Sequence, residues 1–566
     1  MASQTPEVGT LAHLRDVKST GTDGAAVVVA ADVAARTDSD SEKHDIETTE
    51  DGRFHQYIER DGKQVLVSWT KAEEARVVRK ADFLLLPLFT AQSSSRPAKS
   101  PTAANVRLHL QLMFTWMAID RTNVSGVLTS TFLKDTHMTR DQANTGVSLL
   151  WFGIVLLEIP SNVVLHRIGA HYWIPAQVVV WGLIEVLQCF VKGSGGWYAA
   201  RLFLGLAESG FIPGALYTLS QWYTQDELAK RTVIFFFGPS ISGAFGSLIS
   251  AGALHLEGRQ GLKGWQWIFI ICGVSTIASG VLAFIFLPKS PHRTNRLCGG
   301  LVPSRGWLSE READVFVARI IRRDPKKGQA TTMNITLKDI KDVLFSWKTW
   351  PYLLVCLSGL QCVGGLSTWG ATIIQSLGFS RIRANLLNVP GPILASFTGL
   401  AVSYLVDRYK RFGYAIIFTA VWTLAGLIAL YRLPVTSKGS WSFYAAYIVT
   451  QAAPASSWQP LNVTWLALNF DTPQRRAIAY AVYIGCSNLG GTYGNQVFRG
   501  SDAPLYRKAW AACISLGAVW LGVLILQTGA FKWANRRFRQ RVQEQPELES
   551  KALFADGKGQ KYRYYW

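Results

Sequence analysis

Asp120 and Arg121 stand side by side inside LMFTWMAIDRTNVSGVLTSTF (112–132), a run otherwise apolar or weakly polar and long enough to cross a bilayer. An ionised side chain at mid-membrane costs at least about 2.5–3.5 kcal/mol, so such a pair is kept only beside a partner or a water-filled cavity. The chemistry open to the pair is narrow. A carboxylate can take up and release a proton, and a guanidinium that keeps its charge can grip an anion in a two-pronged fork. Burial disfavours an ionised carboxylate while a neighbouring Arg favours it, so the arrival of an anion can change the proton occupancy of Asp120. A static Asp–Arg clamp between helices is the structural alternative. Glu208 lies in a second run, RLFLGLAESGFIPGALYTLSQWYTQDELAKR (201–231), before Ser209, Gly210, Pro213 and Gly214, which let helices bend and approach one another. It is a second candidate proton carrier, or else a structural hydrogen-bonding group.

The elements that hold these groups are membrane spans. Over 566 residues the chain is 12% aromatic and only 17% charged, with a mean hydropathy of +0.14, which excludes a set of ordinary soluble domains. Apolar runs of about 17–25 residues fall near 112–132, 144–166, 173–191, 199–222, 232–254 and 266–287. Further runs fall near 349–375, 385–406, 414–431, 441–466, 477–497 and 509–531. The expected fold is therefore an all-α polytopic membrane protein of about twelve transmembrane helices in two six-helix halves, 81–288 and 348–531, with its site between the halves.

A net charge of +20 suggests nucleic acid until its placement is checked. The basic residues gather in alternate connections: Arg76, Arg79 and Lys80; Arg167; Lys230 and Arg231; Arg408 to Arg411; Arg475 and Arg476; and RRFRQRVQ from Arg536. Lipid explains this pattern, and the positive-inside rule puts both termini in the cytosol. Lys134, Arg140, Arg259, Lys263, Arg381 and Arg383 occupy the opposite loops, so the rule acts as a bias. The seven cysteines are scattered and suggest neither a disulfide framework nor a metal site. Sequons at Asn123, Asn334 and Asn462 fall in spans or in the central loop and are not expected to carry glycan. No nucleotide loop, metal cluster or nucleophile with a base is visible, so neither an enzyme nor a cofactor is expected.

Residues 1–80 read as a disordered cytosolic tail, 289–347 as a cytosolic central loop, and 532–566 as a basic cytosolic tail. Within the loop, WLSEREADVFVARIIRRDP (307–325) opens with a capping box, Ser309 and Glu312, and predicts an amphipathic helix along the membrane whose charge run is solvated. The apolar FLLLPLFTA (83–91) breaks into a polar, Pro-containing stretch that hydrocarbon cannot accommodate. An insertion at 92–111, such as translated intron, is preferred to a separate interfacial piece at 83–91.

Several strings together resemble one family. IDRTN at Ile119, EIPSNVVLHRIG at Glu158, the 201–231 segment, WLSERE at Trp307, NLLNVPG at Asn385, WQPLNVTWLALN at Trp458 and NLGGTYGNQVFRGSDAPLY at Asn488 are similar, in this order, to the anion:cation symporter branch of the major facilitator superfamily. The likeness is to the large fungal group related to allantoate, nicotinate and pantothenate permeases. It implies that Asp120 and Glu208 couple protons and that Arg121 binds the anion. The family's gating pattern resembles SYLVDRYKRFG, with Asp407, Arg408 and Arg411. In the first half it has decayed to HRIGAHYW, with Arg167 and Gly169 but no acidic residue at the expected place.

Glu158, beside Pro160, reads as a gate or helix-packing residue, and Arg201 as an interfacial anchor that snorkels. Tyr217, Gln361, Trp369, Asn462 and Asn488 are candidates for the substrate wall, each with an interhelical hydrogen bond or an interface aromatic as its structural alternative. The partners implied are a small organic anion, protons and the bilayer, with no nucleic acid, for a monomer in a fungal plasma membrane. Import by proton symport is the first reading. An exporter of the same fold, driven by proton antiport, and a non-transporting nutrient sensor are the alternatives.

Overall fold

The structure is a computed structural model that describes residues 53–60, 63–82, 105–223, 225–289, 296–297, 302–303, 309–323, 336–409, 411–433, 440–470, 472–502, 506–544, 554–555 and 561–566. Long apolar runs fold as helices because a helix satisfies its own backbone groups where water cannot. In the first half the passes are Asn105–Thr122 continued by Val124–Leu128, Arg140–Ile168, Ala170–Leu187, Ser194–Glu208 continued by Phe211–Trp222, Gln225–Leu254, and Gly264–Phe286. Those of the second half are Thr349–Ser376, Arg381–Leu387 continued by Pro390–Tyr409, Phe412–Arg432, Ser440–Gln451 continued by Ala455–Leu468, Pro473–Gly494, and Arg507–Glu544.

Among the described residues, 8 of these helices are apolar and long enough on their own to cross a membrane. The first, fifth, tenth and eleventh passes fall short. The first carries the Asp120–Arg121 pair, the tenth is split near Pro454, and the eleventh opens on PQRR, while the fifth contributes the shorter apolar stretch Ser242–Leu254. Breaks within passes have local causes. In the fourth, Gly210 adopts φ 78°, and a Cβ there would lie 2.6 Å from the Ser161 hydroxyl oxygen, so only glycine fits.

Aromatic side chains fill the core. Phe132, Trp197, Trp265 and Phe269 meet edge to face in the first half, and Tyr352, Trp465 and Phe531 cluster in the second. Each such pair adds about 0.5–1.5 kcal/mol beyond the area it buries.

Three regions differ from the sequence-based expectation. Arg53–Arg60 and Lys63–Thr70, expected to lie in a disordered tail, pair as a two-stranded sheet, with the rings of Phe54 and Trp69 5.8 Å apart. Alternating polar and apolar residues in KQVLVSWT suit a strand, a signal too short to register beside the polar composition around it. Helix Lys71–Asp82 follows and reaches the central helix through Glu73–Arg311 (3.3 Å) and Glu74–Arg323 (3.5 Å).

The central helix spans Glu310–Arg323 behind the expected capping box: Ser309 Oγ accepts from the Glu312 amide at 3.3 Å, and Glu312 Oε2 accepts from the Ser309 amide at 2.9 Å. Its charge run is not all solvated. Arg319 is 1% exposed and donates to the Trp222 carbonyl at 3.4 Å, so this side of the helix caps the end of the fourth pass. As for the insertion, residues 92–104 lie outside the described residues, while 105–111 form the opening turns of the first pass.

Residues 563–566 fold back onto the second half. Tyr565 donates its amide to Asn469 Oδ1 (2.9 Å) and accepts from Trp465 Nε1 (2.9 Å); Tyr564 exchanges two hydrogen bonds with Asn535 (2.9 and 2.8 Å). The two asparagine amides thus stand in for a paired strand. Close by, Thr336 caps helix Leu337–Leu344, and its hydroxyl and amide hold the Asp339 carboxyl below its ordinary range, helped by Arg475.

Candidate functional site

Asp120, Arg121 and Asn123 belong to one continuous helical stretch: the Asn123 amide bonds the Ile119 carbonyl at 2.8 Å, and Asn123 itself has φ −60° and ψ −25°. At about 100° per residue, Asp120 and Asn123 share a face, and Arg121 points a quarter turn away. Those two directions organise the site. On one side Asp120 Oδ2 accepts from Thr276 Oγ1 of the sixth pass at 2.9 Å, and Asn123 Nδ2 donates to Glu185 Oε1 of the third pass at 2.5 Å. Gln188, one turn on, donates to the other Glu185 oxygen.

On the other side Arg121 Nε pairs with Glu208 Oε2 at 2.7 Å, its NH2 reaches the Met117 sulfur at 3.7 Å, and its guanidinium lies 5.0 Å from the centre of the Trp151 ring. Glu208 ends its helix at the Ser209–Gly210 break, which Gln177 secures by donating to the Ser209 carbonyl at 2.8 Å.

Arg201 joins this group, contrary to the expected interfacial anchor. It is 1% exposed, stacked 4.3 Å from the Trp197 ring centre, and within electrostatic reach of Glu185, Glu208 and Asp120. The physical reason is spacing: seven residues, two helical turns, place Arg201 and Glu208 on one face. Glu185 and Asn123 were missed as site residues. Glu185 sits alone in an apolar span, a signal of the same kind as Asp120, whereas Asn123 drew notice only as a sequon.

Five ionisable groups from three passes are thus brought together. Asp120 Oδ1, Glu208 Oε1 and two Arg201 nitrogens have no hydrogen-bond partner. Asp120, Glu185, Glu208 and Arg201 are sealed, and Arg121, with 16% of its side chain exposed, is the member that reaches open space.

The remaining candidates scatter around this cluster. Glu158 and Asn488 meet each other across the halves, Nδ2 to Oε2 at 2.9 Å. Trp369, expected on the substrate wall, is fully buried at the closed end and donates to Asn144 Oδ1 at 3.1 Å, while Asn144 Nδ2 donates to the Phe498 carbonyl at 2.7 Å. Asp141 accepting from the Gly500 amide, Gln496 donating to Ser148, and Asn388 donating to Ser247 extend the same seal. This end of the bundle lies opposite the one that carries residues 563–566. Asn462 is enclosed in the second half, donating to Tyr483 Oη at 3.1 Å.

Tyr217 and Arg167 line a separate cavity of about 260 Å³ with His171 and Lys289, away from the cluster's hydrogen bonds. Arg408 is exposed, and Arg411 lies 3.6 Å from the Trp566 ring centre. The side chains of Gln361 and Asp407 lie outside the described residues.

Comparison with known proteins finds membrane carriers. Residues 112–495 match the family profile of the Major Facilitator Superfamily. An uncharacterised transporter of Schizosaccharomyces pombe is 28% identical over 471 residues, covering 83% of this chain and 85% of that protein. A major-facilitator-type transporter of Penicillium expansum is 28% identical over 464 residues, covering 81% and 83%. The crystal structure of a bacterial homologue of the human lysosomal transporter Spinster, inward-facing and unoccupied, superposes with a TM-score of 0.56 at 14% identity, covering 75% of this chain and 95% of that one. The sequence relatives and the shared fold are those of carriers, not enzymes, and the chain belongs to the major facilitator superfamily of membrane transporters.

Proposed function

We propose that this transporter imports a small organic anion, a carboxylate or vitamin-like acid, together with protons, as a monomer of the anion:cation symporter branch in a fungal plasma membrane with both termini in the cytosol. The observation that carries this reading is the 2.7 Å pair between Arg121 and Glu208, in which the partly open guanidinium is held by a sealed carboxylate. Glu208 and an incoming carboxylate compete for the same donors. A proton on Glu208 weakens its hold and frees the Arg121 fork for the anion. By linkage, a bound anion then raises the proton affinity of Glu208 by the same factor. Asp120, behind Arg121, is a second place for a proton. Trp369, Asn144 and their neighbours close the bundle on the side opposite residues 563–566, so with cytosolic termini the protein as described faces inward. Asp407, Arg408, Arg411 and Arg167 act as the alternating gate, and Glu158–Asn488 links the halves beside the site.

The test is uptake of radiolabelled nicotinate, pantothenate and allantoate by yeast expressing the protein or Arg121→Lys, with and without a proton uncoupler. One anion should be taken up and its uptake should collapse with the uncoupler. Lys keeps the charge but loses the fork, so uptake should fall about ten- to a hundredfold, since a hydrogen bond to a charged group contributes about 1.5–3 kcal/mol. Uptake indifferent to both treatments, or export of the probes, defeats the reading.

A further inference from the structure

Glu185 has no part in the exchange between Arg121, Glu208 and the anion, yet it is fully buried beside them. Every group that faces it can be named. Asn123 and Asp120 approach from the first pass, Arg201 and Glu208 from the fourth, Cys272 from the sixth, and Gln188 from its own helix. Asn123 and Gln188 each donate to one carboxyl oxygen, an arrangement that holds the carboxyl group in place without supplying a counter-charge. The counter-charge must come from Arg201, whose Nε and NH2 make no hydrogen bond.

Charge balance then decides the state of the cluster. Asp120, Glu185 and Glu208 bring three negative charges, and Arg121 and Arg201 bring two positive ones, so with every group ionised the cluster is at least one negative charge in excess, since Glu158 also lies within electrostatic reach of Arg121. An uncompensated charge away from water is expensive, and an ionisable group sheds that cost by taking up a proton. Asp120 and Glu208 each leave a buried oxygen without a partner, so the balance is also not met by hydrogen bonds from neutral neighbours.

We infer that Glu185 is a third proton-exchanging carboxylate of this site, the one that tips the cluster to an excess negative charge, so that the empty carrier holds one proton there. The inference rests on the proton-coupled reading above and deepens it. A monoanion arriving beside Arg121 raises the excess to two, and one further proton from the loading side restores neutrality. The carrier therefore moves one proton per negative charge carried, and a dianion brings two.

The experiment needs no transported substrate. The full chain in lipid nanodiscs is titrated by infrared spectroscopy, following the C=O stretch of protonated carboxyl groups, for the unmodified protein, Glu185→Gln and Glu185→Asp. The expected result is a band present at neutral pH that disappears as pH rises, is absent in Glu185→Gln, and is retained in Glu185→Asp. A band of equal intensity in Glu185→Gln overturns the inference. So does a band that no pH removes, the mark of a permanently protonated, purely structural Glu185. Should Glu185→Gln fail to fold, Glu185→Asp decides: an aspartic carboxyl in that place should shift the frequency of the pH-dependent band, and a band of unchanged frequency counts against the inference. Proton entry accompanying nicotinate, pantothenate or allantoate into liposomes tests the symport reading separately. No proton entry with an intact infrared titration defeats symport alone; proton entry with a band unaffected by Glu185→Gln defeats the Glu185 assignment alone.

Discussion

The two halves repeat one six-pass architecture and differ in what they bury. The first encloses Asp120, Glu185, Glu208 and Arg201, each at most 2% exposed. Among the described side chains of the second half, the buried polar groups are neutral: Asn462 and Asn469, Tyr352, Tyr447 and Tyr483, with serines, threonines and glutamine. Amide and phenol groups bond one another here, as where Tyr447 Oη donates to Asn388 Oδ1 at 2.8 Å and Asn469 Nδ2 donates to Tyr352 Oη at 2.8 Å. A neutral network fixes geometry and is indifferent to proton supply, even where atoms such as Asn462 Oδ1 and the Gln527 amide lack a partner. A charged one with unpartnered atoms can change state when a proton or an anion arrives. Among the described residues the sealed charges thus lie on one side, and on the reading proposed above the proton chemistry lies with them.

The largest effect should come from unbalancing the charged half. Arg201→Met removes one of the cluster's two guanidiniums and leaves three carboxylates facing the other, a loss of about 3–5 kcal/mol. Thermal unfolding in detergent measures it, and adding Glu185→Gln should recover part of the loss because one fewer carboxylate then has to be held neutral beside the remaining guanidinium. A double variant no more stable than the single would mean that the two groups do not share a field. In the neutral half, Asn469→Ala leaves the Tyr565 amide and carbonyl and the Tyr352 hydroxyl short of a partner, for about 1–3 kcal/mol. Introducing Asn469→Ala on top of Glu185→Gln should leave that cost unchanged, since no charge connects the two networks. If it does change, the division between the halves is wrong.

Part of this contrast was legible in the sequence. An Asp–Arg pair in an apolar span is costly enough to announce itself, and so was Glu208 beside a glycine-rich break. Helix positions also followed from composition, because a bilayer demands long apolar runs and polar loops interrupt them. Arg201 was misplaced because depth along a span cannot tell a side chain that snorkels outward from one that points inward; only its seven-residue spacing from Glu208 carries that information. Trp369 and Asn462 are polar or aromatic groups inside spans, and their side chains can serve a wall, a seal or a core equally well. Their partners, Asn144 and Tyr483, lie 225 and 21 residues away in sequence, and no local pattern predicts such pairs. The fold-back of 563–566 was invisible for the same reason: a short YRYYW string is disposed to pack, but its sites on Asn469, Asn535 and Arg411 come from three different passes or their connections.

That fold-back gives the smallest test of the division. Arg411 stacks 3.6 Å from the Trp566 ring centre, and Lys532 lies 5.1 Å from the same ring, both near the surface. Exposed cation–π contacts are worth about 0.5–1 kcal/mol, far less than either buried network. Trp566→Ala and Arg411→Ala should each destabilise modestly, and a double-mutant cycle between them should return a coupling within that range. Uptake by Trp566→Ala, normalised to folded protein at the membrane, should match the unmodified chain, because the ring carries no proton and Arg411 keeps its charge without it. A coupling near zero would show that the stacking contributes nothing. Normalised uptake that changes severalfold would show that the Trp566 ring sets how the proposed gate works at Arg411, and the fold-back would then be part of the transport cycle and not only of the frame.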